Sequence, residues 1–248
     1  MLSTAGVLSL ALALQAAQPQ TPAQPVPADQ PDRPITRLFQ NLGHDLVAVP
    51  STDTALVAAI GTGAALVARP ADDNLSHWAT GLGESSYTRV GRVIGDGWIQ
   101  GSAALATYGV GLAAQHPATI HVGSDLIRAQ ALNAVITRVF KLTAQRKRPG
   151  GSSDSLPSGH SSATFATASV LGGHFGWKAA LPAYAAAGFV GWTRVRDRAH
   201  WLSDVVVGAA VGTIVGRTVT SGHRERTWVL VPSASVTAVA VHLVRIPR

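Results

Sequence analysis

From Ile35 onward the chain alternates between apolar runs rich in Ala, Gly, Val and Thr and short breaks of Gly, Pro and polar residues. Such runs cover Thr52–Ala68, Trp98–Ala114, Ser124–Thr143, Ser161–His174, Trp177–Trp192 and Ser203–Val219, each long enough for a helix of several turns. Small residues let helix backbones approach closely, so the pattern predicts an all-α helical bundle over residues 35–223. After His223 the texture changes. "TWVLVPSASVTAVAVHLVRI" is rich in β-branched residues around a Pro-Ser-Ala-Ser break, which predicts a hairpin-like tail over residues 224–248.

The amino terminus reads differently. "MLSTAGVLSLALALQAAQPQ" has a short apolar core at Val7–Leu14 followed by Ala16 and Ala17, the layout of a signal peptide over residues 1–17, although no Lys or Arg precedes the core. Residues 18–34 are proline-rich and form an extended linker. Most of the apolar runs are shorter than the roughly 20 residues that a bilayer crossing needs. The run from Ser124 also carries Asp125, Arg128 and Arg138, charges that are costly in lipid. These features favour an exported periplasmic or cell-envelope protein able to associate with a membrane surface, with an integral membrane bundle as the less favoured alternative, for which "AALPAYAAAGFVGW" and "VVVGAAVGTIVG" would be suitable segments.

Charge narrows the partners. Lys and Arg number 20 against 13 Asp and Glu, a formal net charge of +7, which favours anionic ligands such as phosphates or acidic lipid surfaces. The basic residues are dense only in "KLTAQRKRP" and "TRVRDR", with no interleaved aromatic platform, so nucleic acid is not an expected partner. The absence of cysteine excludes disulfides, thiol nucleophiles and cysteine-ligated zinc. Seven histidines (His44, His77, His116, His121, His174, His223 and His242) show no metal-ligand spacing, and Asp72 and Asp73 in "ARPADDNL" read as a polar helix end.

Three clusters remain, at the ends of adjacent expected helices. Lys141 and Arg148 lie almost two turns apart, so they share a face as far as the helix persists, and Pro149 ends the helix at Arg148. Two cations there make an oxyanion clamp or, more simply, a solvated basic face. "PSGH", Pro157–His160, precedes a helix start whose free N–H groups suit a phosphate. Gly159 allows close approach, Ser158 offers a hydroxyl and His160 a proton; serine capping alone is the plainer reading. In "TRVRDRAHWLSD", Arg194 precedes His200, and Asp204 lies one helical turn beyond it, where its carboxylate would accept from one ring nitrogen and free the other as a nucleophile. A surface salt-bridge segment is the alternative.

Lys-x6-Arg-Pro, then Ser-Gly-His, then Arg-x5-His-x3-Asp, in this order and at helix ends, resembles the three-part signature of the type 2 phosphatidic acid phosphatase and vanadium haloperoxidase superfamily. The resemblance spans about Ser124 to Val219. It departs from the family pattern at Thr193, where serine is usual. It implies a helical phosphoester hydrolase that needs no cofactor. His200 would attack phosphorus and form a phosphohistidine, Asp204 would hold the ring, and His160 would be acid and then base. Lys141, Arg148, Arg194, Ser158 and Gly159 would bind the phosphate oxygens of a phosphorylated small molecule or a lipid phosphate. Two other readings are a haloperoxidase holding vanadate in the same pocket and a non-catalytic envelope protein that binds anionic lipid or phosphate.

Overall fold

The computed structural model describes residues 34–82, 85–221, 227–235 and 238–246. The signal-peptide reading lies outside the described residues, as does the linker reading up to residue 33. The helices are α1 (Pro34–Ala48), α2 (Thr52–Ala68), α3 (Asp72–Thr80), α4 (Ser86–Ile94), α5 (Gly97–Ala113), α6 (Pro117–Ala144), α7 (Gly159–Phe175), α8 (Trp177–Arg196) and α9 (Leu202–Thr220). A 3-10 turn, Arg69–Ala71, joins α2 to α3. Strands β1 (Thr227–Ser235) and β2 (Ala238–Ile246) pair antiparallel, Thr227 opposite Ile246, so β1 runs through the Pro-Ser-Ala-Ser segment instead of turning there.

Helix starts follow local chemistry. Ser51, Ser85 and Asp96 cap α2, α4 and α5 by accepting from backbone N–H groups of the first turn, and Ser158 caps α7 by accepting from Ser161. Helix α6 begins at Pro117, where a missing N–H costs nothing, and runs for 28 residues, well upstream of the expected start at Ser124. Helix α8 carries Pro182 early and continues to Arg196, past the expected end at Trp192.

Helix α7 is the centre of the bundle, packed by α9, α8 and α6. The core joins Leu126, Ala129 and Leu132 of α6 to Ala166 and Val170 of α7 and to Val211, Val215 and Val219 of α9. Gly208, Gly212 and Gly216, four apart on α9, face α7. An added Cβ would lie 2.6 Å from the Ser158 carbonyl oxygen at Gly208, 2.8 Å from the Ala166 nitrogen at Gly212 and 2.6 Å from the Ala166 carbonyl oxygen at Gly216. Backbone cannot step aside as a flexible side chain can, so only glycine fits. Hydroxyls on α7 are satisfied nearby: Ser161 Oγ donates to the Val205 carbonyl (2.9 Å) and Thr164 Oγ1 to that of His160 (2.9 Å).

Two of the three charges that argued against a membrane, Asp125 and Arg128, lie inside the bundle, whereas Arg138 is exposed. Asp125 and Arg128 are buried, Arg128 pairs with both Asp45 and Asp125, and His174 Nε2 lies 2.8 Å from Asp125 Oδ2. The outside is apolar instead. Thr52–Thr80 spans 29 residues at a mean hydropathy of 1.4 with 17% of its apolar window buried, and Leu202–Thr220 reaches the same mean hydropathy over 19 residues. Both are long and apolar enough to cross a bilayer. The core helix of a water-soluble protein would be mostly buried, which the first segment is not.

Trp98 and Trp177, 86% and 72% exposed, begin α5 and α8 at opposite ends of the bundle, and Leu56, Ile60, Leu105 and Leu181 are exposed between. Such a surface fits a lipid exterior with aromatic residues near both interfaces. The expectation of a soluble exported or surface-associated protein is therefore corrected in favour of a membrane protein. Internal pairing removes the cost of Asp125 and Arg128 on which that expectation rested.

The glycine contact yields a stability prediction. Gly212→Ala should destabilise the protein in detergent by about 1–3 kcal/mol through backbone overlap. Gly188→Ala on α8, where a Cβ meets nothing within 4 Å, should be neutral or stabilising by up to about 1 kcal/mol. Equal thermal midpoints for the two variants would contradict the packing account.

Candidate active site

All three sequence clusters come together at one end of the bundle, where α6 and α8 end and α7 and α9 begin. Gln145, at φ 44°, terminates α6 just after Lys141. The following loop folds on itself: Arg148 N–H donates to the Ser152 carbonyl (2.8 Å), Gly151 N–H to that of Arg148 (2.9 Å) and Ser155 N–H to that of Arg146 (2.8 Å). Gly151 sits at φ 93°, a conformation that favours glycine. After α8 the chain turns back, with the Ala199 and His200 N–H groups both donating to the Arg194 carbonyl at 3.0 and 3.2 Å. Ser158 N–H donates to the Asp204 carbonyl (3.0 Å), which ties the start of α7 to the start of α9.

His200 is buried, and its Nδ1 lies 2.7 Å from the Ser155 carbonyl oxygen. A carbonyl only accepts, so Nδ1 carries the proton and the neutral ring presents an unprotonated Nε2. Burial first, then the charges of Arg148 and Lys141, hold the ring's pKa well below the ordinary histidine value, against the Ser155 hydrogen bond.

Asp204 does not accept from His200, contrary to the sequence reading. Its Oδ2 lies 3.9 Å from Nδ1, beyond hydrogen-bonding reach. The completely buried carboxylate instead accepts from Ser155 Oγ, Trp201 N–H (3.0 Å) and Arg146 Nη1 (2.6 Å). Asp204 therefore fixes Ser155, and the Ser155 carbonyl fixes the imidazole.

His160 stands on the first turn of α7, beside Gly95 at the end of α4, where a Cβ would lie 3.0 Å from its ring. Burial, then the charge of Arg194, lowers its pKa to about 4, with Asp96 and a hydrogen bond to the Arg92 backbone opposing the fall. Ser158 is fully buried with its Oγ at the capped Ser161 N–H, and a Cβ on Gly159 would meet no atom within 4 Å. Packing therefore does not require glycine at 159.

The cations crowd one another. Burial and then Arg148 push the Lys141 pKa down; burial lowers that of Arg194, and Arg92 and Arg148 add to the fall against Asp197. Lys141 Nζ donates to the Asp154 carbonyl (2.6 Å) and Arg194 Nη2 to Asp197 (2.5 Å). Arg148 Nε and Arg194 Nε are buried with no hydrogen-bond partner among the described residues. Buried donors of like charge at one place suit an anion that would satisfy them all. No group of three or more metal-ligating side chains occurs among the described residues.

Sequence reasoning missed three participants. Arg146 bridges Asp204 and Asp72 (2.8 Å to Asp72 Oδ2), and its guanidinium lies 5.5 Å from the centre of the Trp201 ring. Asp72, read as a polar helix end, is buried and accepts from the Ser203 N–H (2.9 Å) and hydroxyl (2.6 Å). Ser155 acts through a carbonyl that any residue would supply and a hydroxyl that the motif does not mark. Arg146, two before Arg148, carried the only visible signal.

Parts of this chain resemble known proteins. Residues 123–228 match the PAP2 superfamily. The lipid A 1-phosphatase of Porphyromonas gingivalis is 37% identical over 90 residues, 35% of this chain and 20% of that protein. The lipid A 4'-phosphatase of Helicobacter pylori is 32% identical over 80 residues, 32% of this chain and 40% of that protein. The chain thus spans a fifth and two fifths of the lengths of these relatives. A solved transmembrane PAP2-type phosphatidylglycerolphosphate phosphatase from Bacillus subtilis aligns with 77% of this chain and 96% of its own, at 20% identity and a TM-score of 0.36. Lys141, Arg148, Ser158, His160, Arg194, His200 and Asp204 all fall within the stretch that matches the PAP2 superfamily.

Proposed function

We propose that this protein is a phosphatase that removes the phosphate of a membrane lipid through a covalent phosphohistidine on His200. The observation that carries the reading is the state of His200, a buried neutral ring whose Nδ1–H is held by the Ser155 carbonyl in the field of Lys141 and Arg148. That arrangement leaves Nε2 as a nucleophile beside an anion-binding cluster. The lipid substrate is supported by the apolar exterior beside the site and by relatives named as lipid A phosphatases.

In the first step Nε2 of His200 bonds to phosphorus as the ester P–O bond breaks, and the leaving alkoxide takes a proton from His160. In the second, water attacks phosphorus, His160 takes its proton and the N–P bond breaks, releasing inorganic phosphate and restoring His200. Lys141, Arg148 and Arg194, with the Ser158 hydroxyl and the Gly159 N–H, stabilise the charge on the phosphoryl oxygens, so these steps are assigned to side chains and backbone without a metal ion. Asp204 serves by fixing Ser155 and by placing a carboxylate near the imidazolium-like intermediate.

His160 must carry a proton to act as the acid, yet its pKa of about 4 leaves it neutral in the free protein at neutral pH. A bound phosphate dianion favours the imidazolium and raises that pKa, so substrate binding itself loads the acid.

Three outcomes follow. In release of inorganic phosphate from a lipid phosphate, with chelator present, His200→Ala should lower turnover by about 10⁴-fold or more; retained turnover would remove His200 from the chemistry. His160→Ala should slow alkyl phosphates by about 10²–10⁴-fold and spare p-nitrophenyl phosphate, whose leaving group needs little protonation. Equal losses on both substrates would leave the acid role unsupported. By histidine NMR, His160 should titrate near pH 4 in the free protein and at higher pH once inorganic phosphate is bound; a free midpoint near the ordinary 6.5 would contradict the electrostatic account.

A further inference from the structure

We infer that Asp72, on α3 and outside the stretch matched to the PAP2 superfamily, is a positioning residue for the nucleophile, acting through Arg146 on Asp204 and from there through Ser155 on His200. The inference rests on the proposed role of His200.

A continuous chain of contacts joins the two ends. Asp72 Oδ2 accepts from Arg146 Nη2 (2.8 Å) and Ser203 Oγ (2.6 Å), and its Oδ1 accepts from the Ser203 N–H (2.9 Å). Arg146 Nη1 donates to Asp204 Oδ1 (2.6 Å) and Ser203 Oγ (2.8 Å). The other oxygen of Asp204 takes the Ser155 hydroxyl, whose residue holds His200 Nδ1 by its carbonyl. The guanidinium fork thus spans two buried carboxylates, with the Trp201 ring beside it, and each group has its orientation set by the next.

Charge gives Asp72 a role beyond packing. Arg146 alone would neutralise Asp204, and the nucleophile would then face an ion pair of no net charge. With Asp72 as a second partner for the same guanidinium, the three groups together carry one net negative charge beside His200. That ring gains positive character when it bonds to phosphorus, so the surplus carboxylate stabilises the intermediate and the transition state leading to it, while substrate binding is untouched. The effect therefore falls on kcat and leaves KM nearly unchanged.

Asp72 also ties the site to the apolar segment Thr52–Thr80, of which it is part, because the same carboxylate holds the start of α9 by the Ser203 N–H. A purely structural tie would lower stability and would show no dependence on the charge of Asp204.

The test is a double-mutant cycle in the full chain in detergent, with kcat, KM and thermal midpoint measured for Asp72→Asn, Asp204→Asn, the pair, and His200→Ala as reference. Because Asp72→Asn can impair folding, Arg146→Lys is measured in parallel, since it keeps the charge and loses the fork. The expected result is a fall in kcat of about ten-fold for Asp72→Asn and for Arg146→Lys, with KM within about two-fold. Asp72→Asn should add little once Asp204 is already Asn. Unchanged kcat in Asp72→Asn and Arg146→Lys, or losses that simply add to that of Asp204→Asn, with His200→Ala inactive, would overturn the positioning role and leave the histidine mechanism standing. Activity retained in His200→Ala would overturn the mechanism and the positioning role with it.

Discussion

Gly208, Gly212 and Gly216 let α9 touch the backbone of α7 along three turns, and the geometry of the site depends on that contact. His160 begins one of these helices, and His200 and Asp204 lie at the start of the other. Side chains between the helices would push His160 away from His200 by the width of a methyl group or more, a displacement that the proposed acid and nucleophile would not tolerate. The Ser158 N–H to Asp204 carbonyl bond closes the same joint at its tip. Close packing thus does for this pocket what a metal or disulfide does in other scaffolds: it fixes against each other two loops that are each held by hydrogen bonds of their own.

Within that joint the chemistry is arranged as a conflict of charge. Lys141, Arg148 and Arg194 disfavour one another, and Arg148 Nε and Arg194 Nε are left without partners among the described residues. The cost is offset when a phosphate brings the missing negative charge, so the groups that strain the empty pocket stabilise the full one. Asp197 already takes one nitrogen of Arg194, whereas Asp204 and Asp72 attend to orientation through Ser155 and Arg146.

The motif residues were legible in the sequence because they cluster at real helix ends: Ser158 caps α7 and Asp204 stands in the first turn of α9, although α6 ends at Ala144, four residues before the Arg148 where Pro149 was expected to stop it. The meaning of the spacing from His200 to Asp204 was misread. Four residues bring a carboxylate near an imidazole, but the first bond of His200 goes to a backbone carbonyl, which no residue identity marks. Asp72 was illegible for a different reason, since nothing local announces that a helix-start aspartate will meet Arg146 and Ser203 far along the chain. The membrane reading failed because alanine, glycine and threonine dilute hydropathy, and because Asp125 and Arg128 count as lipid-exposed charges until Asp45 is seen to pair with Arg128. Local composition marked six of the nine helices among the described residues, but not α1, α3 and α4, and α6 and α8 outran their apolar runs because tertiary packing carried them on.

The central claim is that phosphate passes through a covalent bond to Nε2 of His200. The most direct measurement is to quench the reaction with a ³²P-labelled lipid phosphate in alkali within the first turnover, then map the label on the protein. The account predicts label that survives alkali, is lost in acid and resides on the peptide carrying His200. Turnover with no protein-bound label at any quench time, or label confined to another residue, would contradict it.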